Sequence, residues 1–334
     1  MLETDQRETA AEDKIVIVCS ADAGYVMPLA AMVKSVLVNI RTELGIVLYI
    51  IDGGISGQDK EKLLKSWHDT RLMVNFIQLH ETISPDLPLW GRIKNSIVYQ
   101  KMLMTAFIPE LFEKAIFLDC DLIVKGDLAE LWKTDMGDRS VLAVQDLVIP
   151  YVASLYGISA YKELGIPPEA KYFNTGLMVA NLSWWRRNNI TVKAFNYVQT
   201  YRKTIFFFEQ EALNAVLSGT WGELDPRWNQ IETVSGRSFF RCTHLDDNIY
   251  QQITEDPFVV HFAGTFKPWV HHNKRPAREL YFHYLDMTEW AGWRPKKTIK
   301  SFMLGLYEAR LRAFLYPAEK WYMKFLQNKL RETG

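Results

Sequence analysis

Short runs of apolar and β-branched residues alternate along this chain with segments in which apolar residues recur at helical spacing. Residues 14–19, 45–51 and 73–77 are runs of the first kind and are predicted to be strands. Residues 27–39 and 59–67 have the helical spacing. Because strands that alternate with helices usually run parallel in one sheet, the pattern predicts an α/β fold with a doubly wound, parallel sheet.

The same alternation continues through the second half of the chain. Further helices are predicted at residues 96–107, 127–132 and 209–217, and further strands at residues 141–144, 177–180 and 258–262. The pattern is unbroken from residue 14 to residue 270, so residues 14–270 are predicted to form one folded domain. Residues 1–13 are predicted to be a disordered lead, and residues 271–334 a helical C-terminal segment.

The C-terminal segment is basic and aromatic. From residue 294 onward the chain carries ten Lys and Arg residues against three Glu residues, interleaved with Phe, Trp, Tyr, Leu and Met. A basic amphipathic helix with aromatic residues is typical of attachment to an anionic membrane surface. The other interpretation is a helix that packs on the folded domain and keeps its basic side chains in water. The sequence leaves both interpretations open.

Composition narrows the class of protein. Of the 334 residues, 48% are hydrophobic and 23% are charged, which indicates a globular chain. The formal net charge is +0 at pH 7, so no overall field attracts nucleic acid, and no nucleic-acid partner is predicted. The three cysteines are widely spaced and do not form a disulfide framework. Cys19 and Cys120 are predicted to be buried thiols.

The sequence also bears on location. Residues 1–14 contain no apolar core of a secretory signal, and the chain has no apolar run of about 18 residues that would cross a membrane. The predicted location is therefore the cytoplasm, either free or at the inner face of the cell membrane through the basic segment. The sequence does not predict an oligomeric state.

The most informative chemical feature is a pair of carboxylates, Asp119 and Asp121, at the end of an apolar run. In an extended strand residues i and i+2 point to the same side, so the two carboxylates are predicted to converge on one cation. Oxygen ligands of this kind suit Mg²⁺ or Mn²⁺, which also bind the phosphates of a substrate. The pair therefore indicates a nucleotide-sugar enzyme, although two acids after a strand are also common in solvated loops.

Three further segments accompany the acidic pair, at residues 172–186, 209–214 and 261–269. Together and in this order they resemble glycosyltransferase family 8, which includes bacterial lipopolysaccharide galactosyl- and glucosyltransferases and glycogenin. The resemblance implies that residues 14–270 are a GT-A catalytic domain, with a single mixed, mostly parallel nucleotide-binding sheet flanked by helices. It also implies a retaining enzyme that transfers galactose or glucose from a UDP-sugar to a glycan or lipid-linked acceptor.

The resemblance further implies a metal site and a phosphate site. Asp119, Asp121 and His261 match the residues that bind the metal, and an imidazole beside carboxylates favours Mn²⁺ over Mg²⁺. Gly264 and Lys267 match positions that contact the diphosphate. Taken alone, His261 would be interpreted as a core histidine at the end of a strand.

Other positions match the donor site of the family. Ser20, Asp22 and Tyr25 lie where the nucleotide is expected, with Asp22 near the uracil ring. Cys120, between the two carboxylates, is assigned to donor binding with them. Lys101 is expected to bind the donor as well, as part of a helical Tyr-x-Lys motif. Each of these residues would also suit an ordinary loop or a helix salt bridge.

The resemblance implies that the remaining site residues act near the transferred sugar. Asp146 and Asn174 match positions that hold its hydroxyl groups, and Gln210 matches a residue beside the anomeric carbon. Asp146, Glu209 and Gln210 are therefore the predicted catalytic residues. An amide is a poor nucleophile, so front-face departure of UDP is expected rather than a long-lived covalent intermediate.

Three positions depart from the pattern of the family: Gly24 replaces a frequent Asn, Lys101 an Arg, and Glu209 an Asp. They leave open a non-catalytic protein of the same fold that binds a sugar nucleotide. A phosphohydrolase of the haloacid dehalogenase type is a further alternative, because that class also places two acids after an apolar strand. A self-glucosylating enzyme similar to glycogenin would share the same chemistry.

Overall fold

The computed structural model describes residues 14–79, 96–232, 246–264, 267–269, 277–296, 298–299 and 303. The described strands are β1 (Lys14–Ala21), β2 (Gly45–Asp52), β3 (Leu72–Ile77), β4 (Lys114–Leu118), β5 (Leu122–Val124), β6 (Val141–Gln145), β7 (Phe173–Asn181), β8 (Gly222–Glu223), β9 (Gln230–Ile231) and β10 (Val259–His261). The described α-helices are α1 (Val26–Asn39), α2 (Gly57–Ser66), α3 (Met104–Phe107), α4 (Leu128–Lys133), α5 (Leu182–Arg187), α6 (Ile190–Thr200), α7 (Phe208–Leu217), α8 (Asp247–Glu255) and α9 (Ala277–Leu285). Two 3₁₀ helices span Ser96–Leu103 and Pro226–Asn229.

Seven strands form the main sheet in the order β3-β2-β1-β4-β7-β6-β8. Strands β1 to β4 are parallel, whereas β7 runs antiparallel to both β4 and β6. The sheet is therefore mixed and mostly parallel. The mixed, mostly parallel sheet implied by the family resemblance is confirmed, whereas the alternation of elements by itself did not indicate the reversed strand β7. Residues 146–172 contain no helix that would carry the chain back across the sheet, so β7 returns beside β6 in the opposite direction.

The main sheet is buried on both faces, as expected where helices cover a parallel sheet. Val16 and Val18 of β1 belong to one hydrophobic cluster, and Ile15, Ile17 and Cys19 belong to a second. Successive side chains of a strand alternate between faces, so the two clusters lie on opposite sides of the sheet. The predicted burial of the Cys19 and Cys120 thiols is confirmed.

A smaller sheet of three strands, in the order β5-β10-β9, completes the domain. Strand β5 pairs antiparallel with β10, which places Leu122 opposite His261. Asp119 and Asp121 lie in the turn between β4 and β5, where the chain passes from the main sheet to the smaller one. The prediction that these two residues continue an extended strand is therefore wrong, because the chain must turn here to change sheets.

The described part of the C-terminal segment includes a helix, α9, that packs against α1 and β5. Tyr281, Phe282 and Leu285 of α9 share a hydrophobic cluster with Ala31 of α1 and Ile123 of β5. Most of the basic tail, the helix predicted within it and residues 1–13 lie outside the described residues. Among the helices that are described, none is both long and apolar enough to span a membrane.

Candidate active site

The turn after β4 meets the end of β10 and forms a cluster of metal-binding side chains. One ligand atom each from Asp119, Asp121 and His261 lies within 4.8 Å of the other two. Backbone hydrogen bonds fix this arrangement. Asp119 donates its N–H to the carbonyl of Gly176 (2.8 Å), and Phe262 donates to the carbonyl of Asp121 (2.9 Å). The three residues that were predicted to share a metal are therefore brought together where the main sheet and the smaller sheet meet.

Asp121 is buried and stays charged. Burial by itself would raise the pKa of its carboxyl group, but the Lys267 ammonium and the His261 imidazole reverse this and hold the pKa well below its usual range. Lys267 contacts Asp121 Oδ2 directly and donates a second hydrogen bond to the carbonyl of Phe262 (2.7 Å). His261 Nε2 lies 3.3 Å from Asp121 Oδ1. The cluster thus presents an anionic oxygen beside an imidazole nitrogen.

Gly264 lies between His261 and Lys267 and has a left-handed backbone (φ 78°). L-residues with a side chain seldom adopt this conformation, so the turn requires glycine. No described atom lies within 4 Å of the position that a Cβ would take, so backbone conformation alone selects glycine here.

Lys101 is buried and contacts Asp119 of the acidic pair. Its ammonium lies 3.1 Å from Asp119 Oδ1 and 3.1 Å from Glu209 Oε1, and only 4% of its side chain is exposed. Burial lowers the pKa of Lys101, but the two carboxylates outweigh burial and raise it above the usual value. Burial also raises the pKa of Glu209. Lys101 was expected to bind the donor and Glu209 to act in catalysis. In the structure these two residues form a buried ion pair with each other.

The residues predicted to contact the sugar form a second network. Asn174 Nδ2 donates to Asp146 Oδ2 (2.8 Å), and Gln210 Nε2 donates to the same oxygen (3.2 Å). Gln210 Oε1 accepts from the backbone N–H of Thr175 (3.1 Å). The side chain of Gln210 is therefore held at both of its polar ends. Phe208, just before it in α7, has a left-handed backbone (φ 42°), a strained conformation of the kind often found at functional sites.

Two of the residues that were expected to lie near the nucleotide, Asp22 and Tyr25, follow the end of β1. Asp22 Oδ1 accepts from the N–H of Gly24 (2.9 Å), which closes the turn into α1. The ring of Tyr25 meets Trp269 edge to face, with centroids 5.9 Å apart. This contact brings the start of α1 beside the segment that carries Lys267.

Cys120 is hydrogen-bonded toward the core. Its Sγ donates to the carbonyl of Ser20 (3.1 Å). The neighbouring Cys19 thiol, together with burial, raises the pKa of Cys120 well above its usual value. The thiol therefore joins the turn to β1, and Ser20 takes part through its backbone oxygen.

Sequence analysis did not predict the role of two residues that the structure places at the site, Asn229 and Gly176. Asn229 ends a short 3₁₀ helix and bonds both His261 and Asn174. Gly176 packs so closely that a Cβ would lie 2.4 Å from His261 Cε1. The segment around Asn229 carries no motif, so nothing indicated it. Gly176 lies within the segment 172–186 that carries part of the resemblance, but its contact with His261, 85 positions later, depends on the fold.

Comparison with known proteins agrees with this geometry. The family model described as "Glycosyl transferase family 8" matches residues 16–273. General stress protein A of Bacillus subtilis (strain 168) is 32% identical over 276 residues, which are 82% of this chain and 94% of that protein. Lipopolysaccharide 1,2-glucosyltransferase of Escherichia coli (strain K12) is 22% identical over 282 residues, 82% of this chain and 78% of that protein.

A solved structure shows the same fold. The galactosyltransferase LgtC, crystallised with donor and acceptor sugar analogs, superposes with a TM-score of 0.68 at 24% identity, over 82% of this chain and 96% of that one. The GT-A fold expected from the resemblance is confirmed. The family match also shows that the haloacid dehalogenase alternative is wrong.

Proposed function

The chain belongs to glycosyl transferase family 8 and is a glycosyltransferase, and we propose that it moves a hexose from a UDP-sugar to a hydroxyl group of a glycan or lipid-linked acceptor, with retention of configuration. Glucose and galactose are the proposed sugars. The proposal is supported by the similarity to a lipopolysaccharide 1,2-glucosyltransferase and to the galactosyltransferase LgtC.

The observation that carries the proposal is the cluster of Asp119, Asp121 and His261. Two carboxylates and one imidazole within 4.8 Å of one another form a donor set that fits a divalent cation, and the nitrogen ligand favours Mn²⁺ over Mg²⁺. A bound Mn²⁺ would supply positive charge to the diphosphate of the donor and assist its departure. Asp121 is suited to hold the ion because its carboxyl group remains ionised despite burial.

The cationic and backbone groups of the chain would support the leaving diphosphate. Lys267 is already held at the cluster by Asp121 and the carbonyl of Phe262, so its ammonium is pre-positioned. The left-handed turn at Gly264 allows backbone N–H groups to approach a phosphate closely. Fixed positive groups of this kind stabilise developing negative charge without reorganisation. Lys101 would act indirectly, by fixing Asp119.

The amide network would hold the sugar. Asp146 would accept hydrogen bonds from its hydroxyl groups and Asn174 would donate to them, while Gln210 is fixed by Asp146 and Thr175. A glutamine amide is too weak a nucleophile to sustain a covalent intermediate. We therefore propose that UDP leaves from the same face at which the acceptor hydroxyl enters.

The experiment that tests this function is UDP release from a panel of UDP-sugars, with Mn²⁺ and with a chelator. Turnover of UDP-glucose or UDP-galactose that requires Mn²⁺ is the expected result. Turnover that is equally fast in chelator would refute the metal assignment, and release from neither sugar in the presence of glycan and glycolipid acceptors would refute the proposed donor.

We also propose that residues 295–334 attach the enzyme to an anionic membrane and so bring it to a lipid-linked acceptor. The support is the excess of ten basic residues over three acidic ones from residue 294 onward. Deleting residues 295–334 is expected to abolish binding to phosphatidylserine-containing vesicles while hydrolysis of the UDP-sugar continues. Unchanged vesicle binding would refute the attachment.

A further inference from the structure

A continuous chain of buried hydrogen bonds leads from Asp146 to His261 through two asparagines. Its first member, Asn174, has a fixed orientation. The backbone N–H of Gly176, which can only donate, lies 2.9 Å from one side-chain atom of Asn174, so that atom must be the oxygen Oδ1. The amide nitrogen then faces Asp146 Oδ2 at 2.8 Å.

Asn229 is oriented in turn by Asn174. Its side-chain nitrogen lies 2.8 Å from Asn174 Oδ1 and donates to it. The other end of the Asn229 amide, Oδ1, lies 2.9 Å from His261 Nδ1. An amide oxygen only accepts, so the bond requires a proton on Nδ1. All three side chains are at least 90% buried, so water does not compete for these groups.

We infer that Asn229 is a positioning residue that keeps a proton on His261 Nδ1 and so leaves Nε2, on the Asp121 side of the ring, as the nitrogen available to a metal. His261 Nε2 lies 3.3 Å from Asp121 Oδ1, on the side of the proposed metal ligands. The part of this inference that concerns the metal rests on the proposed function. Histidines that bind metals usually donate their second ring N–H to an oxygen, which fixes the ring and its tautomer.

Each arrangement without a proton on Nδ1 leaves a buried mismatch. A proton on Nε2 alone would place the Nδ1 lone pair 2.9 Å from the Asn229 oxygen, so that two acceptors face each other. Rotating the Asn229 amide would repair that contact but would oppose its oxygen to Asn174 Oδ1. Rotating Asn174 as well would turn its NH₂ group against the N–H of Gly176. Unsatisfied buried groups of this kind are costly, so these arrangements are disfavoured.

Gly176 contributes to the same arrangement in two ways. Its N–H orients Asn174, and its lack of a side chain leaves room for the imidazole. A Cβ at this position would lie 2.4 Å from His261 Cε1 and 2.9 Å from Asn174 Oδ1. The tautomer and the location of His261 are therefore set by the same stretch of β7.

The test is the ring ¹⁵N spectrum of His261 in metal-free protein labelled at histidine, assigned by its loss in His261→Gln. The wild type is expected to carry a slowly exchanging proton on Nδ1. In Asn229→Leu that proton should exchange faster, and Mn²⁺ affinity, followed by electron paramagnetic resonance, should fall about 10–100-fold. Asn229→Asp keeps an oxygen toward Nδ1 and should retain the proton.

Asn39→Leu serves as the matched control, because Asn39 also donates to buried groups, the carbonyl of Val124 in β5 and the hydroxyl of Tyr284 in α9, without contacting His261. It should leave both the spectrum and the Mn²⁺ affinity unchanged. A wild-type ring protonated only at Nε2 would overturn the inference, as would an unchanged Nδ1 proton in Asn229→Leu. If the wild type fails to bind Mn²⁺, the proposed metal site fails, and the metal-free spectrum still decides the role of Asn229.

Discussion

The ammonium group of Lys101 lies 3.1 Å from the carboxylate of Asp119, and the lysine side chain is almost completely buried. The same ammonium is 3.1 Å from Glu209 and 4.6 Å from the centroid of the Phe117 ring. A lysine at this depth has no access to water as an alternative partner. It therefore joins α7 to the turn that carries the acidic pair and fixes the side of Asp119 that faces the core.

Lys101→Met should destabilise the protein by about 3–5 kcal/mol, because it leaves Glu209 buried and without its cation. Urea unfolding measures the effect. The matched control is Lys133→Met, which removes an ion pair with Glu130 whose two side chains are each 65% exposed. The control should cost less than about 1 kcal/mol. Equal losses in the two variants would contradict the structural role of the buried pair.

Asp121→Asn should reduce Mn²⁺-dependent UDP release by about 10²–10³ or more, since it removes the carboxylate charge that contacts His261 through Oδ1 and Lys267 through Oδ2. The side chain keeps its shape, so the far-ultraviolet circular dichroism spectrum should not change. Asp138→Asn, at an exposed position, is the control and should keep full activity. Undiminished turnover in Asp121→Asn with bound Mn²⁺ would contradict the metal assignment.

Gly176→Ala should weaken Mn²⁺ binding at least about tenfold, because the new methyl group must displace the His261 ring. The measurement is the Mn²⁺ concentration that gives half-maximal UDP release. Gly57→Ala provides a comparison at the start of α2, where no described atom lies within 4 Å of the added Cβ. Identical Mn²⁺ dependence in the two variants would show that the ring does not depend on this glycine.

Asp52→Asn should lower stability at neutral pH by about 1–3 kcal/mol, and the difference from wild type should shrink in acid. Burial raises the pKa of Asp52, but Lys60 and the N–H groups of Ile55 and Gly54 bring it below its usual value. A lowered pKa in the folded state gives stability that is present above the unfolded value of about 3.9 and is lost as the pH falls through the folded value.

The measurement is denaturant unfolding of both proteins between pH 7 and pH 3. Asn keeps an oxygen for the two backbone donors, so the variant isolates the charge of Asp52. A stability difference that stays constant across this range would contradict the assigned pKa shift.

Several parts of this protein were determined by sequence alone. The strands β1 and β2 follow from runs of β-branched residues that fit only a buried sheet, and both were predicted within two residues of their ends. The acidic pair indicated a cation site by its residue types and spacing, whereas His261 was added to it through the resemblance to the family. Such local signals survive without a fold, since strand propensity and ligand type belong to the residues themselves.

Other features were decided by tertiary structure. The reversed direction of β7 and the turn of the acidic pair between two sheets depend on how distant strands pair. Asn229 became part of the site only because Asn174 and His261, 55 and 32 residues away, meet it in the core. The N–H of Gly176 in β7 determines which end of the Asn174 amide accepts, and Asn174 in turn determines the orientation of the Asn229 amide. No single residue encodes it, because each amide accepts either orientation until its buried neighbours exclude one.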